Sequence, residues 1–452
     1  MKLYIRYILP LFLVLGTLTG CTDDLSDEIN DNTDSTVRRT VLVYMVAENS
    51  LSTAAESDLN ELAYAAGRNM IPSDCNILVY CDNASQPSVK LYNKLGANTW
   101  KTYTERNSAD STVMLATLKE MVKNYPSQHY ALVLWSHGSG WAPTEKTRQE
   151  MENEYRESHN SGARQARAFG IDNGNNSGAN GPYQMNISSV KWVLNKLGVH
   201  MDYILWDACL MQGIETAYEL RHQADWIIGA PTETPGNGAP YHTAAKGLCD
   251  ADMEAIIKAY TDYYNNSSQY LRNFPFSCIK TSELDALAKA TAPLIKKYFA
   301  DKDATPEGVA TAQVYSPREF IVGPDSKGNY GAIAPIPYDI GSVMGKILTE
   351  EEYDNWRPLL DKAVPYKTMP TQSEPWASMY TTDTNEHRKL TDKEHYSGVS
   401  MNVPEADYDV CPVKDSHGSI IGQVYLGWNT YFKKMSWWKA GGWSQSGWNK
   451  DE

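Results

Sequence analysis

Two short apolar runs each lead into a side chain that can take part in acyl-transfer chemistry. Residues 131–135 lead to His137, and residues 204–206 lead to Cys209, 72 positions further along the chain. Continuous apolar runs of this length predict strands that are buried on both faces of a parallel sheet. Because open α/β folds place their sites at the carboxyl ends of the strands, two such neighbouring strands would bring imidazole and thiol to one sheet edge.

Apolar runs alternate with amphipathic segments over the first 300 residues. The predicted strands cover residues 40–46, 76–82, 131–135, 204–207 and 224–230, and the predicted helices cover residues 52–66, 112–125, 188–197 and 210–221. This alternation predicts an α/β fold with a mostly parallel, doubly wound sheet flanked by helices. Beyond residue 300, helix-like stretches at 340–348 and 350–362 and a strand-like piece at 398–403 predict a smaller α+β region.

The first residues have the pattern of an export signal. Lys2 and Arg6 precede an apolar stretch, residues 7–18, that is too short to cross a bilayer as a helix. The segment then ends in Leu-Thr-Gly-Cys21, which resembles a bacterial lipobox and implies cleavage before Cys21 and lipidation of its thiol. The alternative is an ordinary secretory signal that contains Cys21 by chance.

These patterns divide the chain into four parts. We expect a signal peptide over residues 1–20, an acidic flexible tether over 21–37, a core over 38–300 and the α+β region over 301–452. A lipidated Cys21 would hold the protein at a membrane of the cell envelope. The acidic residues after Cys21 resemble surface-export signals of Bacteroidetes-type lipoproteins, which implies the outer membrane and exposure at the cell surface; the alternative is a protein that faces the periplasm.

The charge and the cysteines exclude several classes of protein. A net charge of −14 disfavours nucleic-acid binding, because few basic groups remain to neutralise phosphates. No two cysteines form a Cys-x-x-Cys pair, which argues against a zinc site, and their spacing is not that of a disulfide framework. No segment has the spacing of an EF-hand loop. We therefore predict no metal and no cofactor.

Cys209 has a functional and a structural interpretation. A helix predicted from Leu210 would place the thiol at a helix N-terminus, which lowers a thiol pKa, and would leave backbone N–H groups free for an oxyanion. A buried thiol that serves only as a small apolar side chain is the alternative.

His137 and Asp207 have the same two kinds of interpretation. Gly138 and Gly140 would let the backbone after His137 approach a ligand closely, and Trp135 and Trp141 would wall a cleft. The alternative is an ordinary histidine in a surface loop. For Asp207 the pattern alone favours a helix N-cap, and the alternative is a carboxylate at the base of a pocket for Arg or Lys.

A long polar segment separates the two strands that carry these residues. Residues 142–182 are charged at first and rich in Gly and Asn towards the end. A segment of this length inside a compact α/β unit is usually functional or disordered. It starts beside the predicted site, so we expect it to influence access to that site.

Together these segments resemble the clostripain-like cysteine peptidases, whose fold is caspase-like. The family's His-Gly signature is matched at 136–141 and its Asp-Ala-Cys signature at 207–211. The opening at 43–51 also matches, with Glu48 where Asp is common, and the loop at 230–241 matches with Ala239 in place of the usual Trp. The resemblance covers residues 38–300 well and the remainder loosely.

The resemblance implies an endopeptidase that cleaves proteins or peptides after Arg or Lys. It implies that His137 is the general base and acid, that Cys209 is the nucleophile, and that the backbone N–H groups of Gly138 and Cys209 form the oxyanion hole. Residues of the substrate-binding pocket would be Asp207, Thr232 and Glu233. Some relatives require calcium and others do not, so the resemblance leaves calcium open.

The family also implies self-cleavage at a basic residue between His and Cys. An uncut segment over residues 142–182 would occlude the cleft, and cleavage would release it. The candidate bonds follow Lys146, Arg148, Arg156, Arg164 and Arg167. The alternative is that these charges belong to a solvated surface.

Three other functions compete with this interpretation. A non-enzymatic surface lipoprotein would bind proteins or glycans through aromatic residues near the C-terminus, which are Trp428, Tyr431, Trp437, Trp438, Trp443 and Trp448. An inactive member of the family would keep the fold alone. Both are disfavoured by the intact His137 and Cys209. An α/β hydrolase is disfavoured because the chain has no Gly-x-Ser-x-Gly elbow.

Overall fold

The computed structural model describes residues 37–83, 85–143, 169–174, 183–267, 272–316, 335–370, 390–414 and 420–449. All of them belong to one compact unit, residues 32–452. Among these residues, every helix is either too short or too polar to pass through a bilayer. The signal peptide, the tether, Cys21 and the five candidate cleavage sites lie outside the described residues.

The strands divide into a long central set and short peripheral pieces. They are β1 Arg39–Val46, β2 Cys75–Asp82, β3 Ser88–Asn93, β4 Gly96–Thr102, β5 His129–Trp135, β6 Phe169–Asp172, β7 Tyr183–Met185, β8 Met201–Asp207, β9 Ala224–Gly229, β10 Ser277–Lys280, β11 Tyr338–Asp339, β12 Tyr366–Lys367, β13 Ser400–Met401, β14 Val410–Lys414 and β15 Ile420–Tyr425.

The helices pack against the central strands and also make up part of the C-terminal region. They are α1 Ser52–Gly67, α2 Ser111–Asn124, α3 Ile187–Leu197, α4 Ile214–Glu219, α5 Tyr241–Asp250, α6 Met253–Asn265, α7 Leu284–Tyr298, α8 Ile340–Ile347, α9 Glu350–Ala363, α10 Trp428–Phe432 and α11 Ser436–Ala440.

Within the described residues, nine strands form one sheet in the order β12-β10-β9-β8-β5-β1-β2-β3-β4. The five strands β9, β8, β5, β1 and β2 are parallel, and the strands outside them are antiparallel. Every residue of β1 and β2 is buried, as expected for apolar strands covered on both faces. The predicted α/β fold with a mostly parallel, helix-flanked sheet is therefore confirmed.

The register of β5 and β8 brings their carboxyl ends together. Trp135, the last residue of β5, pairs with Asp207, the last residue of β8. The Ser136 N–H also donates to the Asp207 carbonyl over 3.3 Å, which extends the pairing one residue past the strand. The segments that carry His137 and Cys209 therefore leave the sheet side by side.

The helix predicted over 210–221 begins later than the sequence indicates. Helix α4 starts at Ile214, and Leu210 has a positive φ of 63°, which is incompatible with a helix. The residues between strand and helix instead form hydrogen bonds to neighbouring segments, such as Leu210 N–H to the Thr232 carbonyl over 2.8 Å. The prediction that Cys209 lies at a helix N-terminus is wrong.

The C-terminal region contacts the segment that follows Cys209. The Ser400 N–H in β13 donates to the Gln212 carbonyl over 2.9 Å, and the Asn402 N–H donates to the Glu215 side chain over 2.8 Å. Strand β12 joins the edge of the main sheet beside β10. The short strands and helices of this region match the expected α+β character.

The aromatic residues near the C-terminus pack inward. Trp428, Tyr431, Trp437, Trp438 and Trp443 are buried. The Trp437 ring lies 5.4 Å from the Tyr218 ring, and the Trp443 ring lies 4.8 Å from the Phe299 ring, measured between centroids. These five rings belong to the core and do not form an exposed binding surface.

Candidate active site

A cavity of about 270 Å³ lies at the carboxyl ends of β5 and β8. It contains the sequence-predicted residues His137, Gly138, Asp207, Cys209 and Glu233. The other residues that line it come from the β1–α1 turn, the ends of the two strands and the loop after β9: Ser50, Leu51, Ala54, Trp135, Ser136, Ala208, Leu210, Thr234, Pro235, Gly236 and Gly238.

Cys209 occupies the turn after β8 and is partly exposed to the cavity. Its Sγ accepts a hydrogen bond from the Thr234 N–H over 3.3 Å. Burial raises the pKa of the thiol to about 12, although the Thr234 N–H opposes this shift. The expected lowering of this pKa is therefore not found, because no helix begins at Leu210.

His137 follows β5 and lines the same cavity. Its Nε2 lies 3.0 Å from the Ser50 hydroxyl, and its carbonyl accepts a hydrogen bond from the Gly170 N–H over 3.0 Å. Both the ring and the backbone of His137 are therefore held by segments outside β5. The sequence analysis did not identify Ser50.

Gly138 lets the turn after β5 and the turn after β8 approach each other closely. A Cβ at this position would lie 2.6 Å from the Cys209 carbonyl oxygen, which no side chain tolerates. Gly140 has a φ of +72°, and a Cβ there would lie 3.0 Å from the Leu210 carbonyl oxygen. In the described part of the chain, neither the Gly138 N–H nor the Cys209 N–H donates a hydrogen bond to another residue. Both remain available to a ligand.

Asp207 is buried and lines the cavity. Its Oδ2 accepts hydrogen bonds from the Ala239 N–H over 3.2 Å and from the Tyr241 hydroxyl over 3.1 Å. No donor among the described residues contacts Oδ1, although Asp207 lines the cavity. Burial raises the pKa of this carboxyl to about 6, and the two donors limit the rise. Asp207 does not cap a helix, because α4 begins seven residues later at Ile214.

A second carboxyl group, that of Asp58, lies next to Gly238, which lines the cavity. It projects from α1, is buried, and accepts a hydrogen bond from the Trp135 indole over 2.7 Å. Burial and the charge of Asp207 raise the pKa of Asp58 to about 9. The sequence analysis missed Asp58, although an aspartate on the apolar face of a predicted helix beside Leu59 and Leu62 was a usable signal.

The loop after β9 supplies the remaining wall of the cavity. Glu233 lines it, but the Thr232 side chain is fully buried and does not. Ala239, which replaces the usual Trp of the family, is buried in the core and donates its backbone N–H to Asp207. This donor does not depend on the side chain, so the replacement leaves the hydrogen bond to Asp207 in place.

The two tryptophans predicted to wall the cleft have different positions. Trp135 lines the cavity. Trp141 is buried away from it and packs against Phe432 of α10, with ring centroids 5.2 Å apart. The prediction for Trp141 is therefore wrong, because the C-terminal region covers this side of the loop.

Comparisons with known proteins identify a family for most of the chain. Residues 43–330, more than half of the chain, match the model of the clostripain family. A search of the curated proteins finds no match.

Solved structures of bacterial cysteine proteases are similar over most of their length. One is a secreted cysteine protease from Bacteroides thetaiotaomicron called iotapain, at 20% identity and a TM-score of 0.65, covering 90% of this chain and 99% of that one. Another is a secreted cysteine protease from the same organism in complex with an irreversible peptide inhibitor, at 27% identity and a TM-score of 0.64, covering 90% and 99%.

A third similar structure is an inactive zymogen of a protease from Parabacteroides distasonis. It is 26% identical to this chain, has a TM-score of 0.64, and the match covers 90% of this chain and 98% of that one. With the family match and the paired His-Gly and Asp-Ala-Cys segments around one cavity, the conclusion is that this chain belongs to the clostripain family and is a cysteine-type peptidase.

Proposed function

We propose that the peptidase is an endopeptidase that cleaves after Arg or Lys with a dyad of His137 and Cys209. The observation that carries this proposal is the carboxylate of Asp207, buried in the wall of the cavity that also contains the imidazole and the thiol. A P1 side chain that enters the cavity beside Cys209 would meet this carboxylate.

The free oxygen of Asp207 supports selection of a basic P1 residue. Oδ2 is held by two protein donors, whereas Oδ1 has no donor among the described residues. A guanidinium or ammonium group would form a charge-assisted hydrogen bond to Oδ1 in a site shielded from water. Glu233 also lines the cavity and adds negative potential, so an acidic P1 side chain would be repelled.

The proposed chemistry uses the dyad and the two N–H groups that have no acceptor among the described residues. The Cys209 sulfur attacks the scissile carbonyl carbon while its proton passes to His137, and the oxyanion accepts hydrogen bonds from Gly138 and Cys209. Collapse breaks the C–N bond, and the leaving amine takes the proton from His137. A water molecule then attacks the thioester, gives its proton to His137, and releases the acid product and the thiol.

The raised pKa of Cys209 has a consequence for this mechanism. The free enzyme holds a thiol at neutral pH, so the proton must leave as the sulfur attacks. The hydrogen bond between Ser50 and His137 supports a fixed position of the base. The Thr234 N–H, which contacts Sγ, stabilises the sulfur as it gains negative charge.

Fluorogenic peptides that differ only at P1 test this proposal. We expect the mature chain to hydrolyse peptides with P1 Arg or Lys much faster than those with P1 Asp or Leu, and we expect Cys209→Ala to abolish the activity. Turnover that survives in Cys209→Ala, or a preference for P1 Leu, would contradict it.

We further propose that the peptidase is activated by self-cleavage within residues 142–182, after Lys146, Arg148, Arg156, Arg164 or Arg167. Two observations support this. The segment begins five residues after His137, and it contains β6, where the Gly170 N–H contacts the His137 carbonyl. One similar structure is described as an inactive zymogen.

Gel analysis distinguishes self-cleavage from a passive surface segment. The active chain should appear as two fragments, and Cys209→Ala should remain intact. A variant with all five basic residues changed to Ala should stay uncut and inactive until another protease nicks the segment. Full activity of the uncut five-residue variant would contradict the proposal.

We also propose that Cys21 is lipidated and anchors the peptidase in the cell envelope, at the outer membrane and facing outward. The lipobox-like sequence before Cys21 supports this, as does the description of similar proteases as secreted. Metabolic labelling with a palmitate analogue should mark the wild type and not Cys21→Ser, and external protease should digest the wild type on intact cells. An unlabelled wild type would contradict the anchor.

A further inference from the structure

Three buried carboxylates meet outside the active-site cavity, at the carboxyl ends of β1 and β2. They belong to Glu48, Asp82 and Asp172, and one oxygen of each lies within 4.8 Å of the others. All three side chains are buried, with exposed fractions of 6%, 0% and 0%. In the part of the chain that the structure describes, no Lys or Arg forms an ion pair with any of them.

The oxygens of this cluster lack the donors that buried carboxylates normally have. Both oxygens of Asp82 and the Oε2 of Glu48 have no hydrogen-bond partner among the described residues. Asp172 is held by the Ser108 N–H and hydroxyl at Oδ2 and by the Gly174 N–H at Oδ1. A buried carboxylate without donors is neutralised either by a proton or by a cation, so the unpartnered oxygens of this cluster are suited to bind a cation.

The backbone around the cluster forms a frame that fixes these side chains. The Ala47 N–H donates to the Asp82 carbonyl over 2.7 Å, which joins the ends of β1 and β2. The Asn173 N–H donates to the Glu48 carbonyl over 3.0 Å, which attaches the end of β6. Three chain segments thus present carboxylates to one point.

We propose that Glu48, Asp82 and Asp172 bind a divalent cation of the calcium type. The donor set consists of oxygen atoms alone, which Ca²⁺ and Mg²⁺ prefer over softer metals. Three carboxylate oxygens that lie within 4.8 Å of one another are close enough to bind one cation together. Ca²⁺ also accepts the irregular arrangement that three separate segments provide, whereas Mg²⁺ requires a near-ideal octahedron.

The site would connect cation binding to the active-site cavity. Glu48 precedes Ser50 by two residues, and Ser50 contacts the His137 imidazole. On the other side, Asp172 ends β6, and β6 contacts the His137 backbone through Gly170. A bound cation would therefore fix the two segments that hold His137. Binding itself does not depend on the proposed cleavage specificity and is measured separately from activity.

Isothermal titration of the metal-free protein with CaCl₂ and with MgCl₂, each paired with thermal melting, tests the site. We expect Ca²⁺ to bind with a Kd near the micromolar range, to raise the Tm by roughly 3–5 °C at saturating concentration, and to bind more tightly than Mg²⁺. Absence of binding heat and of a Tm shift with Ca²⁺ at about pH 8 would overturn the proposal. Equal affinity for Mg²⁺ would overturn the assignment to calcium.

Isosteric variants assign the binding to these residues. Asp82→Asn and, as a second variant, Glu48→Gln should abolish the Ca²⁺-dependent shift while raising the Tm of the metal-free protein, because each removes a charge that repels the other carboxylates around the site, which also include Glu105. Glu56→Gln makes the same chemical change at an exposed position of α1 and should keep the full shift. A full shift in both Asp82→Asn and Glu48→Gln would overturn the site.

Discussion

At the scale of single residues, the burial of the Asp207 carboxylate accounts for the proposed selection of substrates. The carboxylate is held at one oxygen and left open at the other, in the wall of a cavity that also contains Cys209. Such a group is costly to bury alone and gains its full stabilisation only when a cation arrives. The arrangement favours substrates that carry their own positive charge.

Replacement of Asp207 by Asn should remove this selection. Loss of one partner from a buried charged pair costs about 2–5 kcal/mol, which corresponds to roughly a 30- to 5,000-fold fall in kcat/KM for P1 Arg. Turnover of a P1 Leu peptide should be unchanged. Kinetics of Asp207→Asn and of the exposed control Asp225→Asn measure the effect, and an equal loss for Arg and Leu substrates would contradict the assigned role.

Asp58 should make stability depend on pH. Its folded-state pKa is raised to about 9, whereas an unfolded aspartate titrates near 3.9. Between these values the folded state binds a proton that the unfolded state has lost, so the free energy of unfolding falls as pH rises. Urea melts at about pH 5 and pH 8 should show a smaller decline for Asp58→Asn than for the wild type. Identical slopes would contradict the raised pKa.

The sequence identified some residues of the site and missed others for a physical reason. His137, Cys209 and Asp207 end apolar strands, and this local pattern is visible along the chain. Asp58 and Ser50 belong to the β1–α1 segment, and their role depends on how this segment packs against β5. Packing between segments that are distant in the chain leaves no pattern in the local sequence.

At the scale of secondary-structure elements, the turns after β5 and β8 depend on their contact at Gly138. A Cβ there would lie 2.6 Å from the Cys209 carbonyl oxygen. Gly138→Ala should separate the turns and displace an oxyanion donor, and loss of one such donor lowers kcat about 10²–10³-fold. Gly67→Ala, where a Cβ meets no atom within 4 Å, is the matched control. Wild-type kcat in Gly138→Ala would contradict this account.

The central elements followed from the sequence, and the peripheral ones did not. The long apolar runs that form β1 and β2 indicate strands that are buried on both faces, so the positions of these strands were predictable. The hairpin β3–β4 and the strand β12 were missed because half-exposed strands lack a continuous apolar run, and β10 was missed because it is only four residues long. The start of α4 was misplaced because hydrogen bonds from Leu210 and Gln212 to the next segment outweigh local helix propensity.

At the scale of the whole molecule, the C-terminal aromatics stabilise the peptidase. Trp437 is fully buried against Tyr218 of α4, the helix that follows the Cys209 turn. Trp437→Ala should lower the free energy of unfolding by about 3–5 kcal/mol. Trp192→Ala, at a side chain that is 40% exposed, should change it far less. Chemical denaturation measures both, and equal effects would contradict a core role for the tail.

The central proposal is that Cys209 attacks substrates whose P1 residue is basic. Peptidyl chloromethyl ketones with P1 Lys or P1 Leu, followed by mass spectrometry of the digested protein, test it directly. We predict a P1 Lys adduct on Cys209, little P1 Leu adduct, and loss of the difference in Asp207→Asn. An adduct on another residue, or equal labelling by both reagents in the wild type, would contradict the account.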